Sequence, residues 1–273
     1  MPELPEVETI CRDLLRLVRG LVFEDVRIID HRVVRGSSGA SFHRSLVGRK
    51  IVDVRRRGKA VVLDLGGLCL VVQPMMTGQL VVRSGPPEDV FTKETKIVFL
   101  LSKRRQLLYN DQRLFGRVQI AAREEDLDYI RQLGPDPLDK DFTVEVLAGR
   151  LRQRRTAIKT VLMDGHCIAG IGNIYASEIL FRSGINPCQP AMRLVMSQLI
   201  RLHRAVLEVL AEAVAMGGTT VRNYRGGSGQ AGQFQDVVRV YGRDGQPCQV
   251  CGQAIVRIVQ SQRSTFYCSR CQK

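Results

Sequence analysis

Tryptophan is absent from this 273-residue chain and histidine occurs only four times. A histidine-based mechanism is therefore not expected. No run of about 18 apolar residues occurs, so no transmembrane helix is expected. The first residues, MPELPEVET, are acidic and lack an apolar stretch, which excludes a secretory signal and implies a cytoplasmic protein. No internal repeat or long low-complexity tract is present. Acidic residues are scarce relative to basic ones: 27 Asp and Glu stand against 41 Lys and Arg, a net charge of +14. Such an excess points to a polyanionic partner, with nucleic acid first and an anionic membrane surface second.

What is present suits a globular protein. Hydrophobic residues make up 44% and charged residues 25%, enough for a real core, and the length argues for two domains. Residues 5–19 read as an amphipathic helix. Val7, Ile10, Leu14, Leu17 and Val18 share one stripe, Glu8, Arg12, Asp13 and Arg16 lie opposite, and Gly20 is the stop. From 21 to 122 the pattern changes to eight short β-like runs separated by Gly, Pro and Ser, as in an antiparallel sandwich or barrel. Leu133–Asp141 (LGPDPLDKD) reads as a linker. Helices are expected from about Thr143 to Gln153, Thr156 to Asp164, Asn173 (as N-cap) to Gly184, and Ser197 to Met216, stopped by Gly217 and Gly218. A polar, glycine-rich loop follows the last of these.

Four of the eight cysteines form Cys248-x2-Cys251-x16-Cys268-x2-Cys271. Paired knuckles at this separation are a strong zinc signature, because each tight turn supplies two thiolates to a tetrahedral ion. A closed four-thiolate site has no open position, so the one Zn²⁺ is expected to be structural, supplying the folding energy of a module too small for a core. Cys11, Cys69, Cys167 and Cys188 read as buried core thiols. Arg239, Arg243, Arg257, Arg263 and Arg270 crowd the module. A hairpin between the knuckles would carry Arg263 at its tip, where a phosphate contact and a solvated arginine fit equally well.

To this point the chain reads as a basic, zinc-stabilised DNA-binding protein. MPELPEVET, taken with Lys59, GIGNIYASE (170–178) and the cysteine module, resembles the formamidopyrimidine-DNA glycosylases from Met1 to Lys273. The PELPEVET start separates it from the related endonuclease VIII branch. The resemblance implies an α+β protein: an N-terminal antiparallel β-sandwich with an N-terminal helix (1–132), a linker (133–142), a helical helix–two-turn–helix domain (143–238) and a four-cysteine zinc ribbon or hairpin (239–273). It implies a base-excision repair glycosylase and AP lyase acting, as a monomer, on duplex DNA containing oxidised purines or abasic sites.

The residue roles that follow come from the same resemblance. Removal of Met1 leaves Pro2 with a secondary amine that attacks C1′ to form a Schiff base. An α-amino group titrates near pH 8, so a useful neutral fraction exists at pH 7. Glu3 is the general acid/base. Glu6 is either a second carboxylate of the site or a helix N-terminal acid. Lys59 assists base release and β-elimination, and Arg263 grips the flanking phosphates and takes part in δ-elimination. Met76, Arg113 and Phe115 fill the space left by the flipped nucleotide. Arg155, Lys159, Asn173, Arg113 and Lys96 are the expected DNA contacts, and the 219–234 loop closes over the base. Gln73-Pro74 and Lys93-Glu94-Thr95-Lys96 stand where relatives carry DNA-touching histidines. A non-catalytic zinc-dependent DNA binder and an endonuclease VIII-like specificity for oxidised pyrimidines remain as alternatives.

Overall fold

A computed structural model describes residues 1–85, 92–220, 226–227 and 229–273. The fold is α+β and divides into two compact units, 1–131 with 216–233, and 132–215 with 234–273. The glycine-rich loop thus groups with the first unit, although the sequence places it after the helices of the second.

The first unit opens with α1 (Leu4–Val18), which begins with Pro5 in its first turn. Eight strands follow: β1 (Phe23–Ile28), β2 (Asp53–Arg57), β3 (Ala60–Asp64), β4 (Cys69–Gln73), β5 (Gln79–Ser84), β6 (Thr95–Leu101), β7 (Arg105–Asn110) and β8 (Arg117–Ala121). They form two four-stranded sheets, β1-β6-β7-β5 and β2-β3-β4-β8, antiparallel throughout. Alternate residues of both sheets close on one core with Val7, Ile10 and Leu14 of α1. β3 and β4 are buried on both faces because Ala60, Val62, Cys69 and Val71 pack outward against Ile130 of a short helix, α3 (Asp128–Arg131). This double burial is why both strands read as unbroken apolar runs. Besides the short α3, one longer helix goes beyond the sequence reading: α2 (Gly39–Leu46), capped by the Ser38 hydroxyl and burying Phe42 and Leu46.

The second unit contains α4 (Val144–Leu151), α5 (Ile158–Leu162), α6 (Asn173–Ser183) and α7 (Met196–Ala215), then the hairpin β9 (Val256–Gln260) and β10 (Arg263–Tyr267). Gly184 closes α6 in the left-handed conformation, φ 68°. The expected linker is no free tether. Gly134 N–H donates to the Gly165 carbonyl at 2.9 Å, and Ala169 N–H to the Pro135 carbonyl at 3.0 Å. A Cβ on Gly134 would stand 2.4 Å from the Cys167 carbonyl oxygen, so only glycine allows this approach.

Candidate active site

In the first unit, Pro2 and Glu3 are buried where α1 begins. Glu6, 1% exposed, accepts the Glu3 N–H at 2.7 Å on one carboxylate oxygen and the Thr219 N–H at 2.6 Å on the other. It therefore caps the helix start, as a helix N-terminal acid would, and ties that start to the base of the glycine-rich loop. Gly218 makes room for this bond. Its φ is +80°, and a Cβ there would lie 2.7 Å from Glu6 Oε1. The far side of the loop returns to the same helix, where Gly226 and Gly227 pack on Asp13 so closely that a Cβ on either would fall within 3 Å of it. Asp13, expected on the polar face of α1, is buried for that reason. Residues 221–225 and 228, the centre of the expected lesion-capping loop, lie outside the described residues.

Lys59 occupies the two-residue turn between β2 and β3, where Arg57 pairs with Ala60. Gly58 takes φ 57°, which a tight hairpin turn requires. Its position is thus set by strand register rather than by a solvated basic run.

The three residues expected to fill the vacated base stack come from two loops joined by one carboxylate. Asp111, fully buried, accepts from the Thr77 hydroxyl (2.5 Å), the Arg113 N–H (3.2 Å), the Gly116 N–H (2.8 Å) and the Tyr109 hydroxyl (3.3 Å). Thr77 Oγ1 also accepts the Arg113 N–H. The 75–78 and 111–116 loops are thereby fixed to each other, and Met76 (37% exposed), Arg113 and Phe115 (50% exposed) stand outward from them. Arg113 lies over the Phe115 ring at 4.6 Å. Burial, with Asp111 beside it, pushes the Tyr109 hydroxyl far above its ordinary pKa, so it remains a donor.

In the second unit, Lys159 and Asn173 converge on the zinc hairpin. The Lys159 ammonium donates to Asn173 Oδ1 (2.5 Å) and to the Ser264 carbonyl (3.0 Å), which also receives Asn173 Nδ2 (3.0 Å). Asn173 is the first residue of α6 rather than its cap, since Gly172 holds the cap position and the amide is directed to the hairpin. Lys159 is 1% exposed, so in this structure its charge braces the residue next to Arg263 instead of standing open to a phosphate. Arg155 is exposed between α4 and α5. Arg263 is exposed just after the β9–β10 turn, whose two residues, Ser261 (φ 46°) and Gln262 (φ 61°), are both left-handed. Arg239 and Arg243 hold the module together through Gln249, Gln246 and backbone carbonyls, and Arg257 bonds Ser264 Oγ.

The four knuckle sulfurs, Cys248, Cys251, Cys268 and Cys271, lie within 4.8 Å of one another. A tetrahedral ion with Zn–S bonds of about 2.3 Å needs edges of about 3.8 Å, so the cluster fits one Zn²⁺. The chemistry of the set agrees. At Cys248 burial opposes ionisation, but the N–H groups of Val250 and Cys251 and the adjacent sulfurs outweigh it and bring the thiol to about 7. At Cys271 burial and three facing sulfurs push it up to about 12. Four thiolates at this spacing need a cation at their centre. Glu178 fastens the module to α6: its buried carboxylate accepts the N–H groups of Arg239 (2.8 Å), Val240 (3.0 Å) and Tyr241 (2.8 Å).

Comparison with known proteins agrees over the whole chain. The formamidopyrimidine-DNA glycosylase N-terminal domain matches residues 1–118, its H2TH domain matches 133–225, and the zinc finger found in FPG and IleRS matches 245–273. A formamidopyrimidine-DNA glycosylase of Pelotomaculum thermopropionicum is 41% identical over 276 residues, covering 100% of this chain and 99% of the relative. The chain belongs to the formamidopyrimidine-DNA glycosylase family. The solved structure of the MutM (Fpg) protein of Thermus thermophilus is 38% identical, with TM-score 0.88 over 99% of this chain and 98% of the other. Lactococcus lactis Fpg bound to DNA containing an abasic site is 30% identical, with TM-score 0.91 over 99% of both chains.

Within this formamidopyrimidine-DNA glycosylase fold, the departures have definite places. Gln73 ends β4 opposite Arg117, and the Lys96 ammonium bonds the Lys93 carbonyl at 2.8 Å. Cys11, Cys69 and Cys167 are buried as expected, but Cys188 is exposed, its N–H held by Asn186 Oδ1 in a surface turn. Sequence reasoning missed Asp111 and Glu178. Asp111 lies two residues before Arg113 and Glu178 ends the GIGNIYASE motif, yet their partners, hydroxyls and backbone N–H groups for Asp111 and backbone N–H groups for Glu178, are ones that no spacing rule identifies.

Proposed function

We infer that the protein is a base-excision repair glycosylase that releases oxidised purines, 8-oxoguanine and formamidopyrimidines, from duplex DNA and then cleaves the abasic strand as a lyase. The observation that carries this reading is full-length membership in the family with Pro2, Glu3, Lys59 and Arg263 all in place. Relatives of the same fold are bound to DNA containing Fapy-dG or an abasic site.

The chemistry follows from these residues. With Met1 removed, the Pro2 nitrogen is a secondary amine that attacks C1′ of a nucleotide drawn out of the stack. The C1′–N bond to the base breaks, and Glu3 delivers or receives the proton as the sugar ring opens. An iminium then links C1′ to Pro2. Loss of the C2′ proton expels the 3′ phosphate, and a second elimination expels the 5′ phosphate, with Lys59 and Arg263 assisting. Met76, Arg113 and Phe115 occupy the emptied stack. Arg155, Asn173 and Lys96 contact the backbone, Lys159 supports that surface by bracing Ser264, and the 219–234 loop covers the base. Cys248, Cys251, Cys268 and Cys271 hold one structural Zn²⁺, which keeps the Arg263 hairpin folded. The protein works as a cytoplasmic monomer on the nucleoid; among the described residues, no helix is long and apolar enough to cross a membrane.

Borohydride reduction tests the reading. It is expected to cross-link the protein to an 8-oxoguanine:cytosine duplex, and one residue added ahead of Pro2 is expected to abolish the cross-link while DNA binding persists. No cross-link from a protein with a verified Pro2 N-terminus would sink the proposal. Faster cleavage of a thymine glycol duplex would overturn the purine specificity alone.

A further inference from the structure

The three consecutive arginines before Lys59 divide between the two faces of β2, as strand alternation requires. Arg55 and Arg57 reach the buried Glu124 carboxylate, at 2.5 and 3.4 Å. Arg56 goes the other way and is nearly buried. Its Nε donates to Glu8 Oε2 at 3.0 Å, and its Nη1 to the Gly58 carbonyl at 3.2 Å. Glu8 lies on α1, about one and a half turns of helix from Glu3. Gly58 is the first residue of the turn that holds Lys59. One guanidinium thus joins the helix of the nucleophile to the turn of the catalytic lysine.

We propose that Arg56 is a positioning residue for Lys59, holding the β2–β3 turn in register with α1 so that the lysine ammonium and the Pro2 amine address the same sugar. The proposal rests on the role given to Lys59 above. Strand pairing fixes the two ends of a two-residue turn but not its tilt toward a neighbouring helix. A fork that bonds a carboxylate of that helix on one side and the turn's own carbonyl on the other fixes the turn in both directions. Lysine at 56 presents a compact ammonium without that fork. The outer pair, Arg55 and Arg57 on Glu124, steadies the strand from its opposite face, so Arg56 carries the coupling to α1.

The test uses the full-length zinc protein and single-turnover base release from an 8-oxoguanine:cytosine duplex. Arg56→Ala is expected to slow release roughly 10- to 100-fold, the scale of a displacement of about 1 Å at a reacting group. Arg56→Lys should fall between it and the unaltered protein. The deciding measurement is the double variant. If Arg56 acts through Lys59, Arg56→Ala with Lys59→Ala is no more than about 3-fold slower than Lys59→Ala alone, because residues that act as a unit are not additive. If the two losses multiply, Arg56 has a separate or merely structural role and the proposal falls. Borohydride trapping on a pre-formed abasic site, with the thermal midpoint, reports whether each variant is folded. Should Arg56→Ala not fold, the same comparison is made with Arg56→Lys alone and combined with Lys59→Ala. An unaltered release rate in Arg56→Lys, beside a slow Lys59→Ala, also overturns it. A Lys59→Ala protein that releases base at the normal rate removes the assignment of Lys59 first, and this inference with it.

Discussion

Asp111 shows how a buried charge can be organised to hold exposed residues still. Its two oxygens receive four donors, two of them backbone N–H groups of the loop that presents Arg113 and Phe115. Gly116 is part of the same arrangement, since a Cβ there would lie 1.6 Å from the Tyr109 hydroxyl oxygen. Asp111→Ala leaves these donors without their acceptor, at about 1–3 kcal/mol for each one that water cannot reach. We expect a loss of about 3 kcal/mol, a melting point lower by roughly 5–10 °C, and weaker binding to abasic duplex as Met76, Arg113 and Phe115 lose their fixed aim. Calorimetry and a binding titration check both. An unchanged melting point with unchanged affinity would show that the loops hold without this carboxylate.

At the scale of elements, the strands and long helices were legible because burial left a period in the sequence. α1 shows the helical stripe, and the eight β-like runs coincide with β1 to β8, since Gly, Pro and Ser punctuate each turn. The helix α2 escaped because its two buried residues, Phe42 and Leu46, sit in a Ser- and Gly-rich stretch that reads as a turn. The zinc cluster was legible from spacing alone. Pro2 was legible only through likeness to a family, since a proline after methionine carries no chemistry by itself. The long-range ties were not legible at all: Glu6 meets Thr219 across 213 residues, and Glu178 meets the backbone 61–63 residues onward.

That last tie yields a prediction about the zinc module as an element. Glu178 Oε1 accepts two N–H groups and Oε2 a third, so a side-chain amide must turn its NH₂ toward at least one backbone donor. Glu178→Gln is expected to cost about 2 kcal/mol and to speed zinc release to a chromophoric chelator. Complete chelation of the unaltered protein should unfold 248–271 and abolish DNA binding, because Arg263 loses its scaffold. Zinc-free protein that cuts DNA at the normal rate would break the link between the metal and the hairpin.

On the scale of the whole molecule, the charge of +14 is a reserve from which only some members touch DNA. The structure sorts them. Arg55 and Arg57 are held by Glu124, Arg56 by Glu8, Lys159 by Asn173 and Ser264, and Arg239 by Gln249. Arg155 and Arg263 stand exposed on the second unit. Each cation that neutralises a phosphate releases counterions and adds about 0.9 to the slope of log affinity against log salt. Arg263→Ala should therefore weaken binding to abasic duplex and lower that slope by about one unit. Arg239→Ala should weaken the module without lowering the slope, because its guanidinium is engaged by Gln249 Oε1 rather than offered to a phosphate. Titrations between about 50 and 200 mM salt separate the two, the range over which the electrostatic part changes most visibly. If both substitutions leave the slope where it was, Arg263 faces solvent in the complex, and the positive charge acts through the general field rather than through these contacts.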